Sequence, residues 1–186
     1  MFERECIIGK KNIILKIALL GDPAVGKTSL INRFTEESFK DDYQPTLGVN
    51  IIMKKLKIDD FNVQLAIWDI AGQDKYELTR KLFFEGCSGA LLVYDLTRNS
   101  TFDRIKFKWA IDFSNYARPD GVYVLIGNKG DLKDSITISS EKGRETAKEI
   151  TASNFIETSA KSGDNVERAF EGLVSQILKN FKFKGK

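Results

Sequence analysis

The sequence predicts an α/β fold, a six-stranded mostly parallel sheet with one antiparallel strand and helices on both faces. Three observations carry the prediction. Apolar runs of strand length alternate with helix-period segments along one continuous chain. Two of those runs, NIIMKKLKI and NVQLAIWD, are separated only by Asp59-Asp60-Phe61, a hairpin signal that supplies the antiparallel strand. Others, GALLVYDL and VYVLIGN, are apolar throughout, as strands buried on both faces are.

Taken in order, residues 1–11 read as an N-terminal extension and 12–20 as the first strand. A helix is expected over 27–36, followed by a polar loop, the hairpin, a second polar loop and a short helix ending near Phe84. After GALLVYDL, Ser100 is expected to open a helix with Asp103 as its capping-box partner, and Phe102, Ile105, Trp109, Phe113 and Tyr116 keep the helical period. VYVLIGN is the next strand, Ser140 is expected to cap a helix through Ile150, and NFIET is the last strand. Val166, Phe170, Leu173, Ile177 and Phe181 form the apolar face of a closing helix. With three prolines and no Pro/Gly-rich linker, the chain reads as one domain over 12–181 with a short basic tail, 182–186.

Composition narrows the function classes. A net charge of +3 without a basic stripe argues against nucleic acid as a partner. There is no histidine, so neither an imidazole base nor a histidine zinc site is possible. Cys6 and Cys87 have no metal or redox spacing and read as small hydrophobes in a reducing compartment. No apolar run approaches the ~18 residues needed to span a bilayer. The expected location is cytoplasmic, with at most weak peripheral membrane contact through the tail, which ends KFKGK without a prenylation cysteine. A monomer is expected.

The polar motifs fall where strands end. GDPAVGKT fits G-x-x-x-x-G-K-[ST]: Gly21, Asp22, Pro23, Ala24, Val25 and Gly26 form a turn whose N–H groups can surround a phosphate, and Lys27, Thr28 and Ser29 open a helix whose positive end adds to it. Lys27 would neutralise β- and γ-phosphate oxygens, and the Thr28 hydroxyl would ligate Mg²⁺. Asn128-Lys129-Gly130-Asp131 then chooses the base. Guanine offers N1–H and N2–H₂ side by side to one carboxylate, Asp131, whereas adenine would present it with a lone pair, a mismatch worth ~10⁴ in discrimination. Asn128 can bond the Hoogsteen edge or brace the loop, and the Lys129 stem can lie over the ring. Thr158-Ser159-Ala160-Lys161 can offer the Ala160 N–H to guanine O6.

In Trp68-Asp69-Ile70-Ala71-Gly72-Gln73, Asp69 would hold Mg²⁺ through a water, Gly72 would bring its N–H to a γ-phosphate, and Gln73 would orient the attacking water. Thr46 could complete the metal shell with its hydroxyl. The catalytic set expected is Gln73, Lys27, Thr46 and Gly72; the metal set is Thr28, Thr46 and Asp69.

With GDPAVGKT, PTLGVN, WDIAGQ, NKGD and ETSAK in this order, the chain resembles a small GTPase of the Ras superfamily, a P-loop NTPase G domain. LGVN, Trp68 and LFFEGCSGALLVYDLT make it most similar to the Rab branch. The resemblance implies Phe39 edge-on against guanine, Tyr43 and Ser159 among the nucleotide contacts, Lys161 in the base pocket, and switch loops at 40–47 and 71–82. It also implies effectors, an exchange factor and a GTPase-activating protein as partners. Thr46 and Gly72 would touch only the γ-phosphate and its metal, so hydrolysis would release both loops. Ile51, Trp68 and Tyr76 read equally well as core and as an apolar surface for partners. No arginine lies in the first switch, so slow turnover that depends on an activating protein is expected. Pro23 stands where the family has a small flexible residue. It is expected to alter the response to an activator more than GTP binding, which comparing activated turnover of Pro23→Gly would test. The competing readings are a non-catalytic guanine-nucleotide scaffold, against which Gln73, Thr46 and Thr28 argue, and a P-loop ATPase or small-molecule kinase, against which Asp131 argues.

Overall fold

The computed structural model describes residues 6–7, 10–36, 46, 48–72 and 82–183. Among them seven strands form one sheet: β1 (Cys6–Ile7), β2 (Lys10–Leu20), β3 (Val49–Ile58), β4 (Phe61–Ile70), β5 (Gly89–Asp95), β6 (Val122–Asn128) and β7 (Phe155–Glu157). The six expected strands lie in the order β3-β4-β2-β5-β6-β7, parallel except for β3 against β4. The seventh, β1, was not foreseen. It pairs antiparallel with the start of β2, Cys6 opposite Lys11 and Ile7 opposite Lys10, so β2 begins at Lys10 rather than at residue 12.

The β3–β4 hairpin turns on two residues, not three. Asp59 takes φ +51, and Phe61 already pairs with Ile58. The left-handed conformation is one that Asp tolerates better than most residues, which is why Asp59-Asp60 suffices. Burial along β4 alternates at its start, while every residue of β5 is buried, as the apolar patterns required.

The helices are α1 (Lys27–Glu36), α2 (Asn99–Arg104), α3 (Ala110–Tyr116), α4 (Ser140–Glu149) and α5 (Val166–Phe183). Leu82, Phe83 and Phe84 are also helical. The helix expected at Ser100 differs in two ways. Its N-cap is Arg98, which makes no side-chain cap, so the Ser100–Asp103 capping box does not form. Instead the Thr101 hydroxyl donates to Arg98 O and accepts from Asp95 N, tying the helix start to the end of β5. Between α2 and α3, Ile105–Trp109 is a π-helical turn in which Ala110 N–H donates to Ile105 O. The wider turn still keeps Phe102, Ile105, Trp109 and Phe113 buried. At α4 the cap is Ser139, which accepts from Lys142 N, because the Ser140 hydroxyl donates to Glu157 across the sheet end.

The two sheet faces hold separate cores because successive β2 side chains point opposite ways. Leu15, Ile17 and Leu19 meet Leu30, Ile31 and Phe34 of α1 and Phe170, Leu173 and Ile177 of α5. Ala18 and Leu20 meet Phe102, Ile105, Trp109 and Phe113 on the other face. Cys87 belongs to this second core, where burial pushes its thiol up to about 11 against the opposing pull of Lys16, as suits an inert hydrophobe. Ile51 is 47% exposed, whereas Trp68 is half-buried at the edge of the second core beside Phe83, with the Lys16 ammonium over its indole; Tyr76 lies outside the described residues. No helix among the described residues is long and apolar enough to cross a membrane.

Candidate nucleotide-binding site

The chain crosses from one side of β2 to the other when it passes from β4 to β5, so the sheet order reverses there. Register places the ends of the parallel strands along one rim: Leu19 is opposite Asp69, Leu20 opposite Leu92, Asp95 opposite Asn128 and Gly127 opposite Glu157. Ligands of such sheets sit beyond that rim, at the reversal. The loop from Gly21 to Gly26 leaves β2 at this point.

Its conformation depends on glycine twice. A Cβ on Gly21 would lie 2.1 Å from Val93 O, and one on Gly26, at φ +97, would lie 2.3 Å from Asn128 Nδ2. The loop's carbonyls are held from outside. Lys27 Nζ, buried, donates to Gly21 O and Asp22 O at 2.9 Å each, Arg98 Nη2 to Pro23 O at 3.1 Å, Asn128 Nδ2 to Val25 O at 2.9 Å, and Leu30 N to Gly26 O at 2.9 Å. The backbone N–H groups of Ala24, Val25 and Gly26 donate to no other described residue. Donors left facing a helix start suit a phosphate. Ser29 sits half-buried in the first turn of α1.

Asp22 belongs to the loop through its backbone. Its carboxylate turns away into the second core, accepting from Trp109 Nε1 at 2.8 Å and pairing with Arg104 Nε at 3.1 Å, so only its backbone lines the loop. Val25 likewise buries its side chain completely.

At the base end Asn128 braces the loops, one of the two roles its sequence position allows. Its Nδ2 holds Val25 O, and its Oδ1 accepts from Thr158 Oγ1 at 3.1 Å and Ala160 N at 3.2 Å. The Ala160 N–H, expected to serve a guanine oxygen, is directed to Asn128 here. Asp131 is half-buried and accepts from Ser159 Oγ at 2.6 Å through one lone pair of Oδ1, which leaves Oδ2 and the other lone pair of Oδ1 open to a paired donor edge. Lys129 sits at φ +71 with its ammonium 2.7 Å from Asp95 Oδ2. Lys161 is exposed, and its carbonyl and that of Ala160 accept from the Arg33 guanidinium at the last turn of α1.

Asp69 is 1% exposed. One oxygen accepts from Thr28 Oγ1 at 2.6 Å; the other, Oδ1, is buried without a hydrogen-bond partner. Thr46 Oγ1 lies 3.0 Å from Thr28 Oγ1. Burial pushes the Asp69 carboxyl up, opposed by the Thr28 hydrogen bond and the Lys27 charge. An orphaned buried carboxylate oxygen beside two hydroxyls is an all-oxygen donor set suited to a hard dication. Among the described residues no group of three or more acidic or cysteine side chains competes as a metal site. Gly72 packs directly on the phosphate loop, where a Cβ would lie 2.4 Å from Gly21 O. Ala71 N donates to Gly48 O at 2.9 Å, joining the stretches that follow Thr46 and Asp69. Phe39, Tyr43 and Gln73 lie outside the described residues, as does most of both predicted switch loops.

Sequence reasoning missed Asp95, Arg98, Arg104, Trp109 and Arg33. Asp95 left a visible signal: like Asp69, it is a carboxylate closing an apolar strand at the ligand rim. The others left none, since their partners lie far away in sequence: Arg33 reaches Ala160, Arg98 reaches Pro23, and Arg104 and Trp109 reach Asp22.

A phosphate loop at the sheet reversal, with a carboxylate-bearing turn two strands away, defines a P-loop G domain. The chain belongs to the Ras family, whose model matches residues 16–179. It is 39% identical over 176 residues to the Ras-related protein RABA6a of Arabidopsis thaliana, covering 95% of this chain and 72% of that one. It is 40% identical over 166 residues to the Ras-related protein Rab11E of Lotus japonicus, covering 89% and 75%, and 38% identical over 164 residues to the Ras-related protein Rab-1 of Theileria parva, covering 88% and 74%. It is a Rab-like small GTPase, an enzyme that binds guanine nucleotide and hydrolyses GTP.

Proposed function

We propose that this GTPase is a trafficking switch whose nucleotide is held by the residues at the sheet rim, with Mg²⁺ bound through Thr28, Thr46 and Asp69. The supporting observation is the Asn128 side chain, which hydrogen-bonds the phosphate loop at Val25 and the base turn at Ala160 together, so that one ligand spans both. The loop N–H groups and Lys27 bind the phosphates, and Asp131 selects guanine by accepting from its amino edge. Magnesium, when bound, supplies positive charge against the phosphate oxygens. Gln73 orients water, and Thr46 and Gly72 sense the γ-phosphate, so the surfaces offered to effectors differ between GTP and GDP. An exchange factor and an activating protein set the rates of a monomeric, cytoplasmic switch that touches membranes peripherally.

The test is calorimetric titration of GDP into parent and Asp131→Ala protein, with single-turnover GTP hydrolysis in Mg²⁺ or in excess chelator. The expected results are a loss of GDP affinity of about 10²-fold or more in the variant, slow hydrolysis by the parent, and none measurable in chelator. An Asp131→Ala protein that holds GDP as firmly as the parent overturns the assignment of the base site.

A further inference from the structure

Asp95 has no part in the chemistry above, yet its carboxylate is heavily bonded. It closes β5, it is 1% exposed, and four donors converge on it. Oδ1 accepts from Thr97 N at 2.9 Å and Thr97 Oγ1 at 2.7 Å. Oδ2 accepts from Arg98 Nε at 2.9 Å and Lys129 Nζ at 2.7 Å. Both cations are partly exposed, and each reaches a different half of the candidate site: Arg98 continues through Nη2 to Pro23 O in the phosphate loop, and Lys129 belongs to the base turn.

The backbone supports the same point. Lys129 takes φ +71, a conformation that costs a non-glycine residue about 1–3 kcal/mol and persists only where its surroundings impose it. The 2.7 Å pair with Asp95 on the neighbouring strand is one of the contacts that hold the turn in this geometry. Burial raises the Asp95 carboxyl, but the Lys129 and Thr97 hydrogen bonds outweigh it and hold it below the usual range, so the group is charged at neutral pH.

We infer that Asp95 is a positioning residue for the nucleotide, one buried anion that fixes Lys129 of the base turn and, through Arg98, the phosphate loop. The inference rests on the proposed nucleotide site and adds a residue that contacts no ligand. Its physical content is coupling: withdrawing one charge loosens both ends of the site at once. Asn at this position keeps the Thr97 contacts but puts an amide donor where two cations need an acceptor.

The test follows release of a fluorescent methylanthraniloyl-GDP from the full chain, chased with excess GDP, for the parent, Asp95→Asn, Lys129→Met, the double variant and Arg98→Ala. Asp95→Asn is expected to release about tenfold faster or more, the worth of a charge-assisted hydrogen bond, and Arg98→Ala about threefold faster, since Arg98 is partly exposed. The double variant should be no faster than the quicker single one, since both remove the same interaction. A carboxylate that merely stabilised the fold would instead lower the urea midpoint and leave nucleotide release at the parental rate. Multiplying effects, or parental release from Asp95→Asn, overturn the inference. Should Asp95→Asn fail to fold by circular dichroism, the partly exposed Arg98→Ala decides, and a parental rate there overturns it equally. Asp131→Ala run alongside separates the two claims: if it retains GDP the base site is wrong, whatever Asp95 does.

Discussion

Gly26 shows how narrowly single residues set this site. Its φ of +97 and the 2.3 Å between a notional Cβ and Asn128 Nδ2 are two separate obstacles to any side chain. Gly26→Ala would force Asn128 aside and break its bond to Val25 O, leaving buried polar atoms unpaired. The variant is expected to lose about 2 kcal/mol or more of stability, seen as a lower urea midpoint, and to release GDP faster than the parent. At this scale the sequence was informative where chemistry names the residue. Lys27, Thr28, Asp69, Asn128 and Asp131 all reach the rim. It was silent on direction: nothing in GDPAVGKT says that the Asp22 carboxylate points away from the loop it belongs to, or that Ala160 N–H turns to Asn128.

Among the elements, the π turn between α2 and α3 ties the helical layer to the phosphate loop. Such wide turns recur at functional positions, and this one carries Trp109, whose indole reaches the phosphate loop at Asp22. With Arg104 on the same carboxylate and Arg98 on Pro23 O, three side chains from one helical stretch hold the loop's outer side. Trp109→Phe keeps most of the apolar volume and removes the N–H. It is expected to cost about 1.5–3 kcal/mol, the worth of a hydrogen bond to a charged group. Denaturant unfolding should show a lower midpoint at an unchanged slope, together with faster nucleotide release; an unchanged midpoint would mean that Arg104 alone holds Asp22. The spacing of Phe102, Ile105, Trp109 and Phe113 was legible as a buried face, whereas the π turn was not, because i, i+3 and i, i+4 spacing tolerates one widened turn. The failed capping box has a similar cause: Arg98 and Thr101 are committed to Asp95 and the end of β5, contacts between elements that outrank a local motif.

For the whole molecule, two cores back one sheet, and the rim is only as well placed as they are. Phe170 of α5 is fully buried and stacks on Phe34 of α1 with ring centroids 4.1 Å apart, binding the closing helix to the one that starts at the phosphate loop. Phe170→Ala is expected to destabilise by about 3–5 kcal/mol, a fall in Tm of roughly 6–20 °C for a chain of this size, read by calorimetry of the GDP-bound protein. A smaller fall would mean that neighbouring leucines close the gap.

The sequence by itself determined the alternation of strands and helices, the antiparallel hairpin, the glycine loop after β2 and the Asn128–Asp131 turn after β6. Each of these is written in residues close together in the chain, as periodicity, turn chemistry or an ordered motif. Only the tertiary structure decided which side chains line the site and which support it from behind. That choice turned Asp22 toward Trp109, Asn128 toward Val25 and both Lys129 and Arg98 toward Asp95. The reason is that buried charges and donors must find partners wherever packing brings them, and packing joins residues that sequence distance keeps apart.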